Sequence, residues 1–229
     1  MAYKNSHDIQ TIPKFEYDAM KKATPQCIDL ISQCNAAKTK LMGKFYCQEA
    51  YAYCNEALTT PYMLTGLNPY DIREKCAVKP LCYDFSNVEK FLNLESTRDA
   101  LHVTSKSADK WSSCNYSINK MFSSDWMADL SPKVSDMLEG GIPVLIYAGD
   151  VDFICNYMGN RAWTLDLEWK HKQEFNDAED HEWGEKYGLA KTSHGFSFLQ
   201  VYDAGHMVPS DQPEVSLKMI DGFVNGEAF

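Results

Sequence analysis

The sequence predicts an α/β fold for residues 131–229, and the order of four segments supports that prediction. "IPVLIYAGD" and "FSFLQVYDAGH" are short continuous apolar runs, typical of strands buried on both faces of a parallel sheet. "SPKVSDMLEGG" precedes the first run, with an N-cap serine, a first-turn proline and a glycine stop. "QPEVSLKMIDGFVNG" follows the second run with helical periodicity. Strand, crossover, strand and helix in this order indicate an α/β unit.

The segment between the two predicted strands is strongly charged. "EWKHKQEFNDAEDHEWGEKYG" has no sustained apolar period, so we expect it to run over the surface. Further upstream, "SNVEKFLNLESTRDALHV" returns to helical periodicity.

Four of the eight cysteines form two Cys-x6-Cys units, Cys27 with Cys34 and Cys47 with Cys54. Both units lie in segments with helical character, and positions i and i+7 share one helix face. Antiparallel packing of two such faces predicts the nested disulfides Cys27–Cys54 and Cys34–Cys47. The alternatives are unpaired core cysteines or a zinc site, but the Cys-x2–4-Cys spacing of structural zinc is absent.

The connection after these helices, "TTPYMLTGLNPYDIREKCAVKPLCY", is rich in proline and glycine. Cys76 and Cys82 within it are expected to close a small disulfide loop.

Length and charge limit the function classes. The 229 residues suffice for one sizeable core and an appended subdomain, and 45% of them are hydrophobic. A net charge of −10 argues against nucleic acid or an anionic membrane as partner. A disulfide framework is typical of secreted proteins, yet the polar start "MAYKNSHDIQ" does not resemble a signal peptide. We therefore expect the chain to be part of a longer precursor.

Acidic and basic side chains follow the two predicted strands. Asp150 and Asp152 come directly after the first, and His206 follows the second. Carboxyl ends of parallel strands are where α/β proteins build their sites. Asp before His is the chain order of the last two members of an α/β-hydrolase triad, in which the carboxylate orients the imidazole. Taken singly, Asp152 suits a turn or cap and His206 a structural role. Their joint placement favours catalysis, and Asp150 is expected to cap the turn.

The other histidines carry less information. His7, His171 and His181 lie in polar surroundings and are expected to be solvated. His102 ends an apolar helix, and His194 precedes a strand without an acidic partner nearby in the sequence. No His-x3-His unit is present, so the sequence predicts neither a metal ion nor a cofactor.

A base requires a nucleophile, and the sequence does not offer one. A Gly-x-Ser-x-Gly elbow is expected on a strand-to-helix turn. The nearest match, "GFSFL" at 195–199, lacks the second glycine.

Four motifs together resemble the serine carboxypeptidase family, in the branch that includes carboxypeptidase Y and cathepsin A. They are "YDIREKC", "LCY", "IPVLIYAGDVDFICNYMGNRAW" and "GHMVPSDQPEVSLKMIDGF". The resemblance covers essentially the whole chain. It implies the C-terminal part of an α/β-hydrolase fold with a disulfide-linked helical cap insertion. Residues 1–86 would form the cap, and residues 87–229 would belong to the core.

The resemblance also implies roles for individual residues. Asp152 matches the catalytic acid and His206 the catalytic base. Cys114 matches a cysteine whose partner lies upstream, while Tyr3 and Tyr17 occupy the positions of a further cap disulfide found in some members. The positions that match substrate-binding residues are Asn55, Tyr70, Tyr83, Trp126, Ile154, Cys155 and Met207.

The expected function is that of the C-terminal portion of a carboxypeptidase that releases C-terminal residues from peptides through an acyl-enzyme. The serine would lie in a missing N-terminal half, so the chain alone is expected to be inactive. The alternatives are a catalytically dead, cysteine-stabilised binding module, and an esterase or acyltransferase of the same fold. Expected partners are peptide substrates and the missing half, with a homodimer as a further option. The expected location is the lysosome or vacuole, or outside the cell. Asn115 begins an N-glycosylation sequon.

Overall fold

Two long packed helices open the fold. The structure is a computed structural model that describes residues 1–79, 81–103, 110–123, 125–227 and 229. Helix α1 spans Lys14–Ala36 and helix α2 spans Lys40–Cys54. Helix α2 begins after Thr39, whose hydroxyl accepts a hydrogen bond from the Met42 amide at 3.2 Å.

Two nested disulfides join these helices, as the cysteine spacing predicts. Cys27 pairs with Cys54, and Cys34 pairs with Cys47. All four side chains are buried between the helices. Because each bridge closes a loop, it limits the conformations open to the unfolded chain and stabilises a hairpin with little other core.

A short antiparallel hairpin connects the helices to the rest of the chain. Helix α2 runs into a π-helical turn, Asn55–Thr59, and a short helix α3, Thr60–Met63. Strands β1 (Leu67–Asn68) and β2 (Asp71–Lys75) then pair antiparallel. The third predicted disulfide, Cys76–Cys82, follows β2.

The middle of the chain is built from short helices with exposed apolar side chains. They are α4 (Ser86–Leu92), α5 (Glu95–Ala100), α6 (Tyr116–Met121) and a 3₁₀ turn, Asp125–Met127. The periodic segment from residue 86 therefore forms two helices, interrupted at Asn93 and Leu94. Its apolar positions Phe91, Leu94 and Leu101 are each more than half exposed, so they form no core within the described residues.

The second half contains a mixed sheet of four strands in the order β3-β6-β5-β4. Strand β3 (Val144–Gly149) pairs parallel with β6 (Phe196–Val201), as the α/β prediction requires. Strands β5 (Gly188–Ser193) and β4 (His181–Trp183) continue the sheet antiparallel. The helices of this half are α7 (Ser131–Glu139), α8 (Tyr157–Asp166), α9 (Lys172–Asp177), α10 (Val208–Asp211) and α11 (Pro213–Asn225).

Both faces of the sheet are covered, which explains the continuous apolar runs. On one face Leu199 and Val201 pack against Val215 and Met219 of α11. On the other face Phe196 and Phe198 join a second cluster with residues of α7, α8 and α9. Every residue of β6 is buried. Strand β3 lies at the sheet edge and leaves Tyr147 40% exposed.

Two predictions for this half were wrong. The charged segment between the strands is not a surface excursion alone, because it contributes strand β4 and the fully buried Phe175 of α9. The charged side chains of this segment are mostly exposed. Because they outnumber its few large apolar residues, such as Phe175, the sequence did not indicate that part of the segment is buried. Ser131 does not cap α7. It is the first helical residue, and Leu130 occupies the cap position without a side-chain bond.

A buried lysine fastens α9 to the sheet. The Nζ of Lys191, on β5, donates to the carbonyls of Phe175 and Asn176 at 3.4 and 3.3 Å and to that of Ala178. These groups belong to the C-terminal end of α9, where carbonyls lack helical partners. A cation there also interacts favourably with the helix dipole.

We expect Lys191→Met to destabilise the fold by about 1.5–3 kcal/mol, because the variant keeps the apolar stem and leaves several buried carbonyls without a donor. Urea unfolding followed by circular dichroism measures this change. Lys133→Met is the matched control, since Lys133 is an exposed lysine with a surface contact to Asp136. The control should change stability by about 0.5 kcal/mol or less. Equal stability of the two variants would contradict the assigned role of Lys191.

Candidate active site

The loops that follow β3 and β6 lie side by side, beyond the carboxyl ends of the two parallel strands. The Asp150 amide donates to the Val201 carbonyl and the Val151 amide to the Ala204 carbonyl, both at 3.0 Å. This contact is close because Gly149 has no side chain: a Cβ there would lie 2.1 Å from the Ala204 oxygen. Parallel pairing of β3 with β6 thus brings together residues that are more than 50 positions apart in the chain.

Asp152 and His206 form a hydrogen-bonded pair within these loops. His206 Nδ1 lies 3.0 Å from Asp152 Oδ2. The other carboxylate oxygen, Oδ1, accepts from the amides of Ile154 at 3.0 Å and Cys155 at 3.3 Å. Both oxygens are therefore held, and the carboxylate fixes the imidazole through Nδ1. Among the described residues, nothing donates to or accepts from Nε2 of His206.

The two partners differ in exposure. Asp152 is 2% exposed, whereas the side chain of His206 is 38% exposed. Burial raises the pKa of Asp152, and the bonds from His206 and the two amides oppose that rise. A buried carboxylate behind a partly open imidazole is the arrangement that stabilises an imidazolium during proton transfer.

The hairpin between β1 and β2 holds both loops from the outside. The Pro69 carbonyl accepts from the amides of Phe153 and Ile154 at 3.2 and 3.0 Å. The Tyr70 carbonyl accepts from the His206 amide at 2.8 Å, and the Ile72 amide donates to the Val151 carbonyl at 3.0 Å. One short segment thus fixes the backbone on each side of the Asp152–His206 pair.

Tyr62 supports this hairpin from within the core. Its hydroxyl donates to the Asn68 carbonyl at 2.8 Å, and its ring stacks on Phe153 at a centroid distance of 3.8 Å. Tyr62 is fully buried, and burial raises its pKa well above the ordinary value. No sequence pattern singled out Tyr62 or Pro69. The only signal was the proline- and glycine-rich composition of residues 59–83, which indicated a connection but no role for either residue.

Five of the predicted substrate-binding residues lie in or next to these loops. Ile154 and Cys155 follow Asp152, and Met207 follows His206. The Tyr70 ring lies 5.1 Å from the His206 ring and 5.5 Å from that of Tyr83. Burial raises the pKa of Tyr83 to about 12, so its hydroxyl remains protonated.

Two further predicted residues lie on the helical part of the chain. Asn55 begins the π-helical turn after α2, and Trp126 lies in the 3₁₀ turn that contacts α1 and α2. Trp126 is 57% exposed. Among the described residues, no hydrogen bond or ring contact joins either of them to Asp152 or His206.

An apolar cleft of about 450 Å³ opens beside Ile154. Phe153 and Ile154 form one wall, and the other walls come from the first residues of the chain, α1 and the π-helical turn, including Ile12, Met20 and Leu58. Tyr3 and Tyr17, expected to replace a disulfide, stack there at a centroid distance of 4.8 Å.

Asp150 has a different partner from the one we expected. It is 1% exposed and bonds His7 Nε2 at 2.7 Å and Ser6 Oγ at 3.2 Å. The prediction of a solvated His7 was therefore wrong, because the sequence separation of 143 residues hid the contact. Asp150 anchors the N-terminal segment to the end of β3 instead of capping its own turn.

Cys155 places a thiol beside the pair. Ligand atoms of Asp152, Cys155 and His206 all lie within 4.8 Å of one another, close enough for one metal ion to reach them. Cys155 and Cys114 are free thiols. Desolvation, followed by the negative charge of Asp152, raises the pKa of Cys155. Its thiol is thus held in the protonated form, which is the weaker nucleophile and metal ligand.

The geometry defines a class of protein: an α/β hydrolase in which an Asp–His pair lies beyond the ends of two parallel strands. The serine carboxypeptidase family model matches residues 1–226, and the chain belongs to that family.

Individual relatives agree with this assignment. The chain is 42% identical over 222 residues to carboxypeptidase Y of Komagataella phaffii and 44% identical over 223 residues to carboxypeptidase Y homolog A of Chaetomium globosum. These matches cover 94% and 93% of the chain but only 41% and 39% of the two relatives. The chain therefore spans about two fifths of their length.

A solved structure supports the fold independently. The crystal structure of Kex1(delta)p, a prohormone-processing carboxypeptidase from Saccharomyces cerevisiae, matches with a TM-score of 0.67 and 25% identity. The match covers 94% of this chain and 49% of that one. Among the described residues, no helix combines the length and apolar character needed to cross a membrane.

We expect Cys155 to react slowly with iodoacetamide at pH 7 and faster above pH 9, because its raised pKa keeps the thiol protonated. Asp152→Asn removes the negative charge beside the thiol and should increase the rate at pH 8. The measurement is mass spectrometry of the Cys155 peptide in a Cys114→Ser background. The control is Asp203→Asn, which changes an exposed carboxylate in the neighbouring loop. Equal rates in the two aspartate variants would show that Asp152 does not influence the thiol.

Proposed function

We propose that this chain supplies the acid, the base and part of the substrate pocket of a serine-type carboxypeptidase. The observation that carries the proposal is the 3.0 Å bond between His206 Nδ1 and the buried Asp152 carboxylate, with the Nε2 side left open. That geometry suits transfer of a proton from a serine hydroxyl to Nε2 and then to a leaving amine.

The serine itself would come from a segment that precedes Met1. Strand β3 supports this proposal, because among the residues that the structure describes it pairs with β6 alone and forms the outer strand of the sheet. A parallel strand from a preceding segment would extend the sheet and cover Tyr147, which is 40% exposed. The same open edge could pair with a second copy of the chain, and light scattering of the purified chain distinguishes monomer from dimer.

The proposed substrate is a peptide with a free C-terminus. Ile154, Cys155 and Met207 would line its binding site together with Tyr70 and Tyr83. The cleft beside Ile154 could accept a hydrophobic side chain of the substrate, because most of its lining is aliphatic or aromatic; Lys21, Thr24, Thr59 and Asn156 complete the lining. Asn55 and Trp126 would border the site from the helical part.

An esterase or acyltransferase activity uses the same Asp–His pair, so the substrate class needs a direct test. A panel of blocked dipeptides, matched esters and an acyl acceptor, assayed on the protein with its preceding segment, separates these activities. The carboxypeptidase proposal requires that peptides with a free carboxylate be cleaved and that their amidated forms be poor substrates.

In the protein with its preceding segment, Asp152→Asn should lower kcat for a blocked dipeptide by about 10⁴, because the imidazole loses the carboxylate that selects its tautomer. Steady-state kinetics measures this change. The matched control, Asp203→Asn, alters a carboxylate that is 66% exposed on the same loop as His206. A loss in Asp152→Asn no larger than in the control would exclude Asp152 as the triad acid.

The 229-residue chain alone should show no turnover of a blocked dipeptide, since among the described residues the His206 side chain is hydrogen-bonded to Asp152 and to no serine hydroxyl. Its reaction with a fluorophosphonate probe should also be negligible, whereas the longer protein should be labelled at one serine in a manner that depends on His206. Measurable turnover by the isolated chain would overturn the proposed division of the triad. A stop codon in frame directly upstream of Met1 would favour a binding module without catalysis.

A lysosomal, vacuolar or extracellular location is also proposed, on the basis of the three disulfides. Asn115 is a proposed glycosylation site. Its side-chain oxygen accepts from the Ile118 amide at 3.1 Å, and the residue is exposed, so the amide nitrogen is accessible.

A further inference from the structure

His194 meets His171 and Glu174, which lie 20 or more positions earlier in the chain, at the end of the sheet opposite His206. His171 precedes α9, Glu174 lies in its first turn, and His194 lies in the turn between β5 and β6. The two imidazole rings lie 3.9 Å apart between centroids, and His171 Nδ1 lies 3.1 Å from Glu174 Oε1. One ligand atom from each residue lies within 4.8 Å of the other two.

The β5–β6 turn holds His194 in a defined position. Ser193 pairs with Phe196, so His194 and Gly195 form a two-residue hairpin loop with φ values of 50° and 79°. Positive φ at both positions is typical of the type I′ turn, for which Asn-Gly is the preferred sequence. The Ser193 hydroxyl lies 2.8 Å from His194 Nδ1, which orients the ring and leaves Nε2 for a ligand.

Contacts beneath the surface fix α9 against this turn. Lys191 binds the carbonyls at the C-terminal end of α9. Phe175 of α9 stacks on Phe196, the residue that closes the turn, at a centroid distance of 4.7 Å. Trp169 packs edge-on against His171 at 5.6 Å. These contacts hold the backbone of α9 beside the β5–β6 turn.

We propose that His171, Glu174 and His194 bind a Zn²⁺ ion, with water as the fourth ligand. Zinc–nitrogen and zinc–oxygen bonds of about 2.0–2.2 Å place neighbouring ligand atoms roughly 3.4 Å apart in a tetrahedral site. The ligand atoms now lie up to 4.8 Å apart, so the side chains must move closer together to bind the ion. Because the two rings are nearly parallel, at an interplanar angle of 9°, both must rotate about their Cβ–Cγ bonds for the nitrogens to converge.

The ligand set selects the class of metal. Imidazole ligands favour zinc and other late first-row metals, whereas magnesium and calcium prefer sites made of oxygen ligands alone. The single carboxylate offsets part of the ion's charge, and the chain's net charge of −10 also favours cation binding.

The site would stabilise the fold and not take part in catalysis. His194 precedes β6 and His206 follows it. The six residues of β6 place the two ends of the strand roughly 17 Å apart, at about 3.3 Å per residue. Bound zinc would join α9 to the β5–β6 turn at the surface, above the buried contacts of Lys191 and Phe175. Zinc binds the folded arrangement of these ligands, so it should raise the melting temperature.

The test is a zinc titration of the untagged chain in a Cys155→Ser background, which disables the second cluster of possible ligands near His206. Isothermal titration calorimetry should show one site per chain. His194→Asn and His171→Gln should each weaken binding by about tenfold or more, because each removes one of three protein ligands. Cobalt, used as a spectroscopic probe, should give d–d absorption bands that both variants lose.

The control is His102→Asn. Like His194, His102 is an exposed histidine with positive φ, here 56°, but it lies outside the cluster. Asparagine suits both backbone positions, so both variants should fold, and circular dichroism verifies this. The proposal is wrong if the Cys155→Ser chain binds no zinc up to about 1 mM. It is equally wrong if the His171→Gln/His194→Asn double variant binds zinc as tightly as the His102→Asn control.

Discussion

The arrangement of the candidate site depends on the backbone carbonyls of Pro69 and Tyr70. They accept hydrogen bonds from the loop that carries Asp152 and from the amide of His206 itself. Each loop leaves the sheet at the end of a different strand, and these two carbonyls form a clamp that adds to the direct hydrogen bond between the Val151 amide and the Ala204 carbonyl. A catalytic pair needs positional accuracy well below 1 Å. The β1–β2 hairpin provides this positional accuracy. The buried Tyr62 holds the hairpin in place, because its hydroxyl donates a hydrogen bond to the Asn68 carbonyl.

Close backbone packing is the second constraint. Gly149 allows the loop after β6 to lie against the end of β3, and a Cβ on Gly205 would lie 2.3 Å from the Tyr70 oxygen. The clamp and the strand ends can therefore approach each other only because both positions lack side chains. Asp150, paired with His7, ties the N-terminal segment to the same point. Residues from three distant parts of the chain thus converge on the end of β3.

Sequence patterns predicted the parts of this structure that depend on local periodicity. The nested disulfides followed from a seven-residue spacing on two helices, and β3 and β6 followed from continuous apolar runs that both-face burial requires. Strand β4 was missed because it is only three residues long and carries His181 and Glu182. Strand β5 was missed because its sequence, GLAKTS, consists mainly of small and polar residues and lacks the apolar run of a buried strand. The contact between His7 and Asp150 and the cluster of His171 with His194 were missed for a different reason. No local pattern encodes which distant loops meet.

The sequence by itself determined the α/β class, the cysteine pairing and the Asp152 and His206 candidates. It also determined the resemblance to serine carboxypeptidases. Each of these depends on residue spacing or on a contiguous motif. Only the tertiary structure decided that Asp152 faces Nδ1 of His206, that Pro69 and Tyr70 hold both loops, and that a histidine cluster forms at the opposite end of the sheet. Those features arise from the parallel pairing of β3 with β6 and from the packing of α9 on β5. Such pairings are fixed by the burial of whole faces, a property of the folded chain and not of any single segment.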